Sequence, residues 1–320
     1  MDRTDQQTAK LILRMSVLTL LWLGLIHSGA RAPCLTFALT AKQSSPITIP
    51  FDGTNNLIVV NATINRQGPF RLVLDTGSSE YFLSRELSDT LGLKAEGSAV
   101  VDVGGKQTTR AALTEVSELK IGDVLLQNLR FFTAPLPKSY PFQGILGAEF
   151  FKQFVVTIDF AHSFIRLALP DEFVYPATAS RNPIRLRDGL IPEAKAEVDS
   201  YSGWFKIDTG YNGSLALFAE FIAQHKSLAK NDSGPQNYDP GGQTMAGEVG
   251  KTRIVQIKVL KLETTKGRGL IQRNVAAAFF KEKGGSNSAY AGAIGTLVLR
   301  AFRVTFDYRH RLMILEANRD

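Results

Sequence analysis

Cysteine and histidine are scarce in this sequence. Cys34 is the only cysteine among 320 residues, which excludes an intramolecular disulfide. The four histidines, His27, His162, His225 and His310, stand apart, and none has a partner at the spacing of zinc ligands. We therefore expect no metal and no other cofactor, and a fold that is held together by its apolar core.

Clustered positive charge is also missing. The formal net charge is +7, but the lysines and arginines are scattered along the chain instead of forming a stripe. A nucleic-acid surface needs basic residues gathered on one face. We therefore expect no nucleic-acid partner.

Long apolar runs are absent apart from residues 15–26. That run is shorter than the roughly 20 residues that cross a bilayer as a helix. Lys10 and Arg14 precede it and Ala30-Arg31-Ala32 follow it, which is the order of an export signal. Residues 1–32 are predicted to be a signal peptide or, alternatively, an uncleaved N-terminal anchor, and the protein is predicted to be exported to a periplasm or secreted.

What the sequence does contain is an internal duplication. Residues 144–167 align with residues 292–315 without a gap, at an offset of 148, and eight of the 24 positions are identical. The identical pairs are Gly144/Gly292, Gly147/Gly295, Phe154/Phe302, Val156/Val304, Thr157/Thr305, Asp159/Asp307, His162/His310 and Leu167/Leu315. A second region, residues 104–119, aligns with residues 247–262 at an offset of 143, so loop lengths differ between the halves. The chain is predicted to consist of two similar units.

The pattern within each unit is that of short β-strands. Residues 57–64 and 70–74 are rich in apolar and β-branched side chains around a turn, which predicts a hairpin, and residues 194–198 and 204–207 repeat it. Only residues 84–93 and 215–228 have a helical pattern. We predict an all-β fold of two barrel-like lobes with a few short helices, with lobes at 44–170 and 183–320, a linker at 171–182, and an insertion at 231–242.

Each predicted lobe carries the triplet Asp-Thr-Gly at the end of an apolar strand. The triplets are Asp75-Thr76-Gly77 and Asp208-Thr209-Gly210, and each is followed later by two apolar residues and a glycine. One triplet alone is typical of an ordinary turn. Two triplets at matching places in a duplicated chain are far more specific.

At these residues the sequence resembles the aspartic peptidases, in particular two retropepsin-like lobes in tandem that form a pepsin-like bilobal molecule. The resemblance implies an aspartic endopeptidase with Asp75 and Asp208 as the catalytic pair in a cleft between the lobes. It also implies supporting roles for Thr76 and Thr209, which would interlock the two loops, for Gly77 and Gly210, which would let them approach, and for two segments beneath the pair, Ile145-Leu146-Gly147 and Ala293-Ile294-Gly295.

The resemblance implies two further features. A glycine-bearing hairpin usually covers the cleft, and residues 101–110, with Gly104 and Gly105 at the tip, fit it best; its duplicate near residues 247–250 fits less well. Ser78 after the first triplet would hydrogen-bond the neighbouring aspartate, whereas Tyr211 occupies the matching place after the second triplet, where Ser, Thr or Ala is usual. The implied partner is an extended peptide or an unfolded protein, bound by a monomer because both triplets lie in one chain.

Other interpretations are a peptide-binding protein of the same fold that Tyr211 has inactivated, and a glycosidase with two carboxylates. The Thr-Gly that follows both aspartates argues against a glycosidase. Gly-x-Ser-x-Gly motifs of serine hydrolases are absent from the sequence. Asp159 and Asp307, together with His162 and His310, lie at duplicated strand ends and are predicted to form turns instead of taking part in catalysis.

Overall fold

The structure is a computed structural model, and it describes residues 37–38, 46–104, 107–230, 243–244, 247–248, 253–266, 269–280 and 289–318. The predicted signal peptide at 1–32, the predicted insertion at 231–242 and Gly105 lie outside these residues. Among the helices described, none has the length and apolar character that a membrane crossing requires.

The described residues of the first half form eleven strands and two short α-helices. These are β1 (Phe37–Ala38), β2 (Ile47–Pro50), β3 (Val59–Ile64), β4 (Gln67–Leu74), β5 (Phe82–Ser84), α1 (Arg85–Thr90), β6 (Ala95–Gly104), β7 (Gln107–Ile121), β8 (Val124–Ala134), β9 (Gly144–Leu146), α2 (Ala148–Phe151), β10 (Val155–Asp159) and β11 (Phe164–Ala168). A single 3₁₀ turn, Thr54–Asn56, precedes β3.

The described residues of the second half follow a similar order. They form β12 (Ser180–Arg187), β13 (Ile191–Val198), β14 (Tyr201–Ile207), β15 (Leu215–Phe218), α3 (Ala219–Gln224), β16 (Gln243–Thr244), β17 (Gly247–Glu248), β18 (Arg253–Leu262), β19 (Ile271–Phe280), β20 (Gly292–Ile294), α4 (Thr296–Leu299), β21 (Phe302–Asp307) and β22 (Leu312–Ala317). A 3₁₀ segment, Lys226–Lys230, follows α3. The predicted all-β fold with a few short helices is confirmed.

The two halves share the same unusual pairing of strands. In the first half β9 lies between β4, to which it is parallel, and β5, to which it is antiparallel. In the second half β20 lies in the same way between β14 and β15. In each half, therefore, a short strand lies next to the strand that leads into Asp-Thr-Gly.

A sheet with strands from both halves joins the lobes. The first half forms an eight-stranded sheet in the order β1-β8-β5-β9-β4-β3-β7-β6. The second sheet has twelve strands, and one end of it runs β12-β22-β21-β10-β11-β2, with three strands from each half. The predicted linker leads from β11 into β12, and its last three residues already belong to β12. The exact lobe limits therefore stay a prediction.

The core is aromatic where the halves meet. Phe151 packs edge-on against Phe306, with ring centroids 5.6 Å apart, and stacks on Tyr308 at 5.8 Å. Phe150, Phe151 and Phe306 have no measurable exposure. Burial of each such ring contributes about 1.5–3 kcal/mol, so this cluster fixes one half against the other.

One predicted helix is only partly correct. Residues 84–93 do contain α1, whose first turn is capped by the Ser84 side chain, which accepts a hydrogen bond from Leu87 N. Residues 215–218 instead form β15, which pairs with β19 on one side and β20 on the other. All four residues of β15 are buried. The helical pattern was wrong there because pairing with two neighbouring strands outweighs local preference.

Candidate active site

The two aspartates of the triplets leave their strands in matching ways. Asp75 follows β4, and its N–H donates to Leu146 O at 3.0 Å. Asp208 follows β14, and its N–H donates to Ile294 O at 3.0 Å. The predicted supporting segments, which contain Ile145, Leu146 and Ile294, thus hold the first residue of each triplet from the neighbouring strand.

The two threonines lock the loops together. Thr76 N–H donates to Thr209 Oγ1 and Thr209 N–H donates to Thr76 Oγ1, both at 3.0 Å. The hydroxyls in turn donate across the halves, Thr76 to Ile207 O at 2.7 Å and Thr209 to Leu74 O at 2.9 Å. Both side chains are fully buried, so four hydrogen bonds fix the distance between the loops without competition from water.

The glycines of the triplets permit this close approach. Gly77 N–H donates to Asp75 Oδ1 at 2.7 Å, and Gly210 N–H donates to Asp208 Oδ1 at 3.0 Å. A Cβ atom at Gly77 would overlap the carboxylate of Asp208, and a Cβ atom at Gly210 would overlap that of Asp75. Each glycine therefore lies against the aspartate of the other half.

The two carboxyl groups meet at the centre of this arrangement. The carboxyl group of Asp75 lies against Gly210 and that of Asp208 lies against Gly77, close enough for the charge of Asp208 to act on Asp75. Burial, and then the charge of Asp208, raise the pKa of Asp75 to about 7. Two carboxylates this close cannot both ionise cheaply, so the pair holds one proton over a wide range of pH.

Comparison with known proteins agrees with this geometry. Residues 60–150 match the family model described as aspartyl protease. A crystal structure of an aspartic proteinase from Irpex lacteus superposes with a TM-score of 0.59 at 12% identity, over 86% of this chain and 98% of that one. A search of curated proteins finds no match to the sequence. The chain has the bilobal aspartic-peptidase fold.

Within this aspartic-peptidase fold, the residue after each glycine of the supporting segments donates a hydrogen bond to the backbone that follows a triplet. Gly147 and Gly295 precede α2 and α4, and the first N–H of each helix donates to the loop that follows the triplet of its own half. Ala148 N–H donates to Ser78 O at 2.8 Å, and Thr296 N–H donates to Tyr211 O at 2.9 Å. The structure thus brings the supporting residues of both halves to the dyad.

Ser78 and Tyr211, which follow the two triplets, make different contacts. The Ser78 hydroxyl donates to Glu80 O at 3.0 Å, and its hydrogen bond to the neighbouring aspartate stays a prediction. Tyr211 contacts the dyad through its backbone, since its N–H donates to Asp208 Oδ1 at 3.0 Å. Its ring packs on an apolar cluster of the second half that contains Ala216, Phe218, Tyr290 and Ala293. A backbone donor therefore serves Asp208 where a hydroxyl was expected.

Two residues near the dyad were missed by the sequence analysis. Lys206 Nζ lies 2.7 Å from Asp208 Oδ2, and its side chain is only 18% exposed. Tyr140 lies near Asp75. Burial is the main cause of the raised pKa of Tyr140, and the charge of Asp75 adds to it. Lys206 was detectable in the sequence, because it interrupts an apolar run before Asp208 where the first half has Val73.

The predicted flap is a long hairpin. β6 and β7 pair antiparallel, with Val101 opposite Thr109 and Gly104 opposite Gln107. Val101 packs against an apolar cluster of Leu57, which precedes β3, and of Val59, Val73, Phe82 and Ile145, which belong to the strands around the first triplet. The substrate-binding role of Gly104 and Gly105 stays a prediction. The short pair β16 and β17 occupies the place of the predicted duplicate.

Proposed function

We propose that this chain is an aspartic endopeptidase that hydrolyses peptide bonds in extended peptides or unfolded proteins. The single observation that supports it most is the meeting of the Asp75 and Asp208 carboxyl groups, one from each half, between loops that Thr76 and Thr209 lock together. The fold and the family match of residues 60–150 supply the class of enzyme. Both aspartates lie in one chain, so we propose that a monomer is active.

The chemistry follows from a dyad that holds one proton. The ionised carboxylate accepts a proton from a water molecule between the two groups, and the water oxygen attacks the scissile carbonyl carbon. The protonated carboxyl donates to the carbonyl oxygen, which gives a tetrahedral gem-diol without a bond to the enzyme. Proton transfer to the leaving nitrogen then breaks the C–N bond and restores the dyad. The four bonds of Thr76 and Thr209 keep the carboxyls in place throughout.

The predicted flap favours an extended peptide as the substrate. β6 and β7 form an extended hairpin, and Val101 on it packs against an apolar cluster that includes Val73 of β4, the strand that leads into the first triplet. An extended peptide can add to such a hairpin through backbone hydrogen bonds, with side chains in neighbouring apolar pockets. This recognition suits unfolded segments better than folded proteins. We also propose that the enzyme acts outside the cytoplasm, as the order of charged and apolar residues at 1–32 suggests.

The test is cleavage of an unstructured protein between pH 3 and 6. We expect cleavage that a statine-type inhibitor blocks and that Asp75→Asn abolishes. Asp89→Asn is the matched control, since Asp89 is an exposed residue of α1 and its loss should leave activity intact. Cleavage retained in Asp75→Asn would overturn the proposal. Binding of the statine peptide without any cleavage would instead support a peptide-binding protein of the same fold.

A further inference from the structure

Lys206 is a largely buried cation in direct contact with the dyad. It lies in β14, two residues before Asp208, and its Nζ is 2.7 Å from Asp208 Oδ2. The two side chains are 18% and 11% exposed. Burial alone would lower the pKa of Lys206, but the charge of Asp208 and the hydrogen bond to it outweigh burial and raise the pKa. Lys206 is therefore charged next to Asp208.

The first half has no counterpart of this charge. Lys206 lies opposite Ala293 in the parallel pair β14–β20, and Val73 lies opposite Ile145 in the equivalent pair β4–β9. Val73 is 1% exposed and belongs to the apolar cluster below the flap. The two aspartates thus occupy matching positions, but a cation lies beside one of them and an apolar side chain beside the other.

The other charges near Lys206 leave Asp208 as its partner. Glu193 of β13 is paired with Lys206 across the sheet, but its carboxylate is bound by Arg185, at 2.9 Å, and by Arg187. Burial raises the pKa of Tyr290, and the charges of Lys206 and Arg187 oppose that rise. Asp75 is also within reach of the charge of Lys206, more weakly than Asp208. A buried ammonium requires a close anion, and Asp208 supplies it.

We propose that Lys206 is a positioning residue that keeps Asp208 ionised and leaves the shared proton on Asp75, so that Asp208 is the base and Asp75 the acid of the dyad. This assignment rests on the proposed peptidase function for its catalytic meaning, but the charge distribution is a property of the resting protein. It agrees with the pKa of Asp75, which is raised to about 7 even though the charge of Lys206 opposes the rise. The duplication would otherwise make the two carboxyls nearly equivalent.

A consequence is that Lys206 sets the pH range of the dyad. A neighbouring cation makes each protonation of the pair less favourable, and an opposite charge at this distance shifts carboxyl titrations by about 1–3 units. Removal of the charge should therefore move both titration steps to higher pH. Replacement of Lys206 by another cation should move neither titration step.

The experiment compares wild type with Lys206→Met and Lys206→Arg. Lys206→Met removes the charge and keeps an unbranched side chain, and Val73 shows that an apolar residue fits the matching position. Lys206→Arg keeps the charge. The aspartate carboxyl carbons are followed by ¹³C NMR as a function of pH in the resting protein, without substrate. We expect both steps of the dyad to rise by about 1–3 units in Lys206→Met and to remain near the wild-type values in Lys206→Arg.

A measurement on the wild type alone covers the case in which Lys206→Met does not fold. In the singly protonated state, exchange from H₂O to D₂O should give its isotope shift at the Asp75 carboxyl carbon. A shift at the Asp208 carbon, or equal shifts at both, would overturn the assignment, as would unchanged titration in folded Lys206→Met. The ¹³C titration and the isotope shift can both be measured without cleavage. If both come out as expected in a protein that cleaves nothing, only the peptidase proposal is refuted. Cleavage with unchanged titrations would refute the role of Lys206 only.

Discussion

Thr157 and Thr305 lie directly opposite each other in neighbouring strands, with their hydroxyl oxygens 2.8 Å apart. They are equivalent residues of the duplicated halves, at the offset of 148. Equivalent residues can face each other in this way only on the axis that relates the two halves. The same approximate twofold axis exchanges Thr76 with Thr209 and therefore brings Asp75 to Asp208.

The threonine pair on the axis should show strong coupling. Both hydroxyls are buried, at 8% and 1% exposure, so Thr157→Val or Thr305→Val alone leaves a buried hydroxyl with a lost partner. We expect each single change to lower the free energy of unfolding by about 1–3 kcal/mol, and the double change to cost much less than the sum. Urea unfolding of the four proteins checks this. Additive effects would show that the hydroxyls do not interact.

The interlocked threonines should be intolerant of losing a hydroxyl. Thr76→Ala removes one donor and one acceptor and leaves Ile207 O and Thr209 N–H buried without a partner. We expect a loss of about 2–4 kcal/mol in the free energy of unfolding, together with loss of cleavage. Thr76→Ser keeps the hydroxyl and is the control, with a loss below about 1.5 kcal/mol. Equal loss in both variants would mean that the methyl group, and not the hydroxyl, matters.

The two dyad aspartates should differ in their effect on stability. The raised pKa of Asp75 means that the folded state holds this proton more tightly than the unfolded chain, so its contribution to stability falls as the pH rises from about 4 to about 7. Asp75→Asn removes the cost of ionising this buried carboxyl, so its free energy of unfolding should exceed that of the wild type increasingly as the pH rises over that range. Asp208→Asn leaves Lys206 without its anion and should cost about 2 kcal/mol or more at pH 7.

Thermal unfolding of both variants between pH 4 and 8 checks this contrast. Both variants remove one carboxylate from the same pair, so each is the control for the other. Equal stabilisation by Asp75→Asn and Asp208→Asn would contradict the asymmetry that Lys206 introduces.

Asp159 should stabilise the turn after β10 instead of acting in catalysis. It is 1% exposed, accepts from His162 N–H at 3.0 Å and lies 2.7 Å from Arg303 Nη2. Burial alone would raise its pKa, but the hydrogen bonds from His162 and Arg303 outweigh burial and lower it. The stabilisation is therefore present above pH 4 and is lost as the pH falls through the lowered value.

We expect Asp159→Asn to lower the free energy of unfolding by about 3 kcal/mol at pH 7, since it leaves Arg303 without its partner. The difference from wild type should shrink below pH 4. Asp171→Asn is the control, because the Asp171–Arg309 pair is exposed and should contribute less than about 1 kcal/mol. Denaturant unfolding at pH 7 and pH 3 measures both. A pH-independent loss in Asp159→Asn would contradict the electrostatic explanation.

The sequence allowed much of the fold to be predicted, because both halves contain the same strand and turn patterns in the same order. The offset of 148 predicted matching strands, and the hairpin at residues 57–74 appears as β3 and β4, with Val59 opposite Val73. The turn preferences of Asp, Thr and Gly, repeated at matching places, then located the dyad. The strand and turn patterns can be recognised from residues that are close in sequence.

What escaped prediction depends on contacts between distant segments. Residues 215–218 form a strand because β19 and β20 lie on either side of them. Lys206 was visible as a polar residue in an apolar strand, but its ion pair with Asp208 follows only from the conformation of both side chains.

The most direct test of the account is kcat/KM for an unstructured substrate as a function of pH, in wild type, Asp75→Asn and Asp208→Asn. We predict a bell-shaped wild-type profile whose upper limb falls near pH 7, where Asp75 loses its proton. Both variants should lose at least about 10³-fold in rate, since the acid or the base of the pair is missing. Substantial activity in either folded variant would contradict the claim that one carboxyl from each half activates the same water.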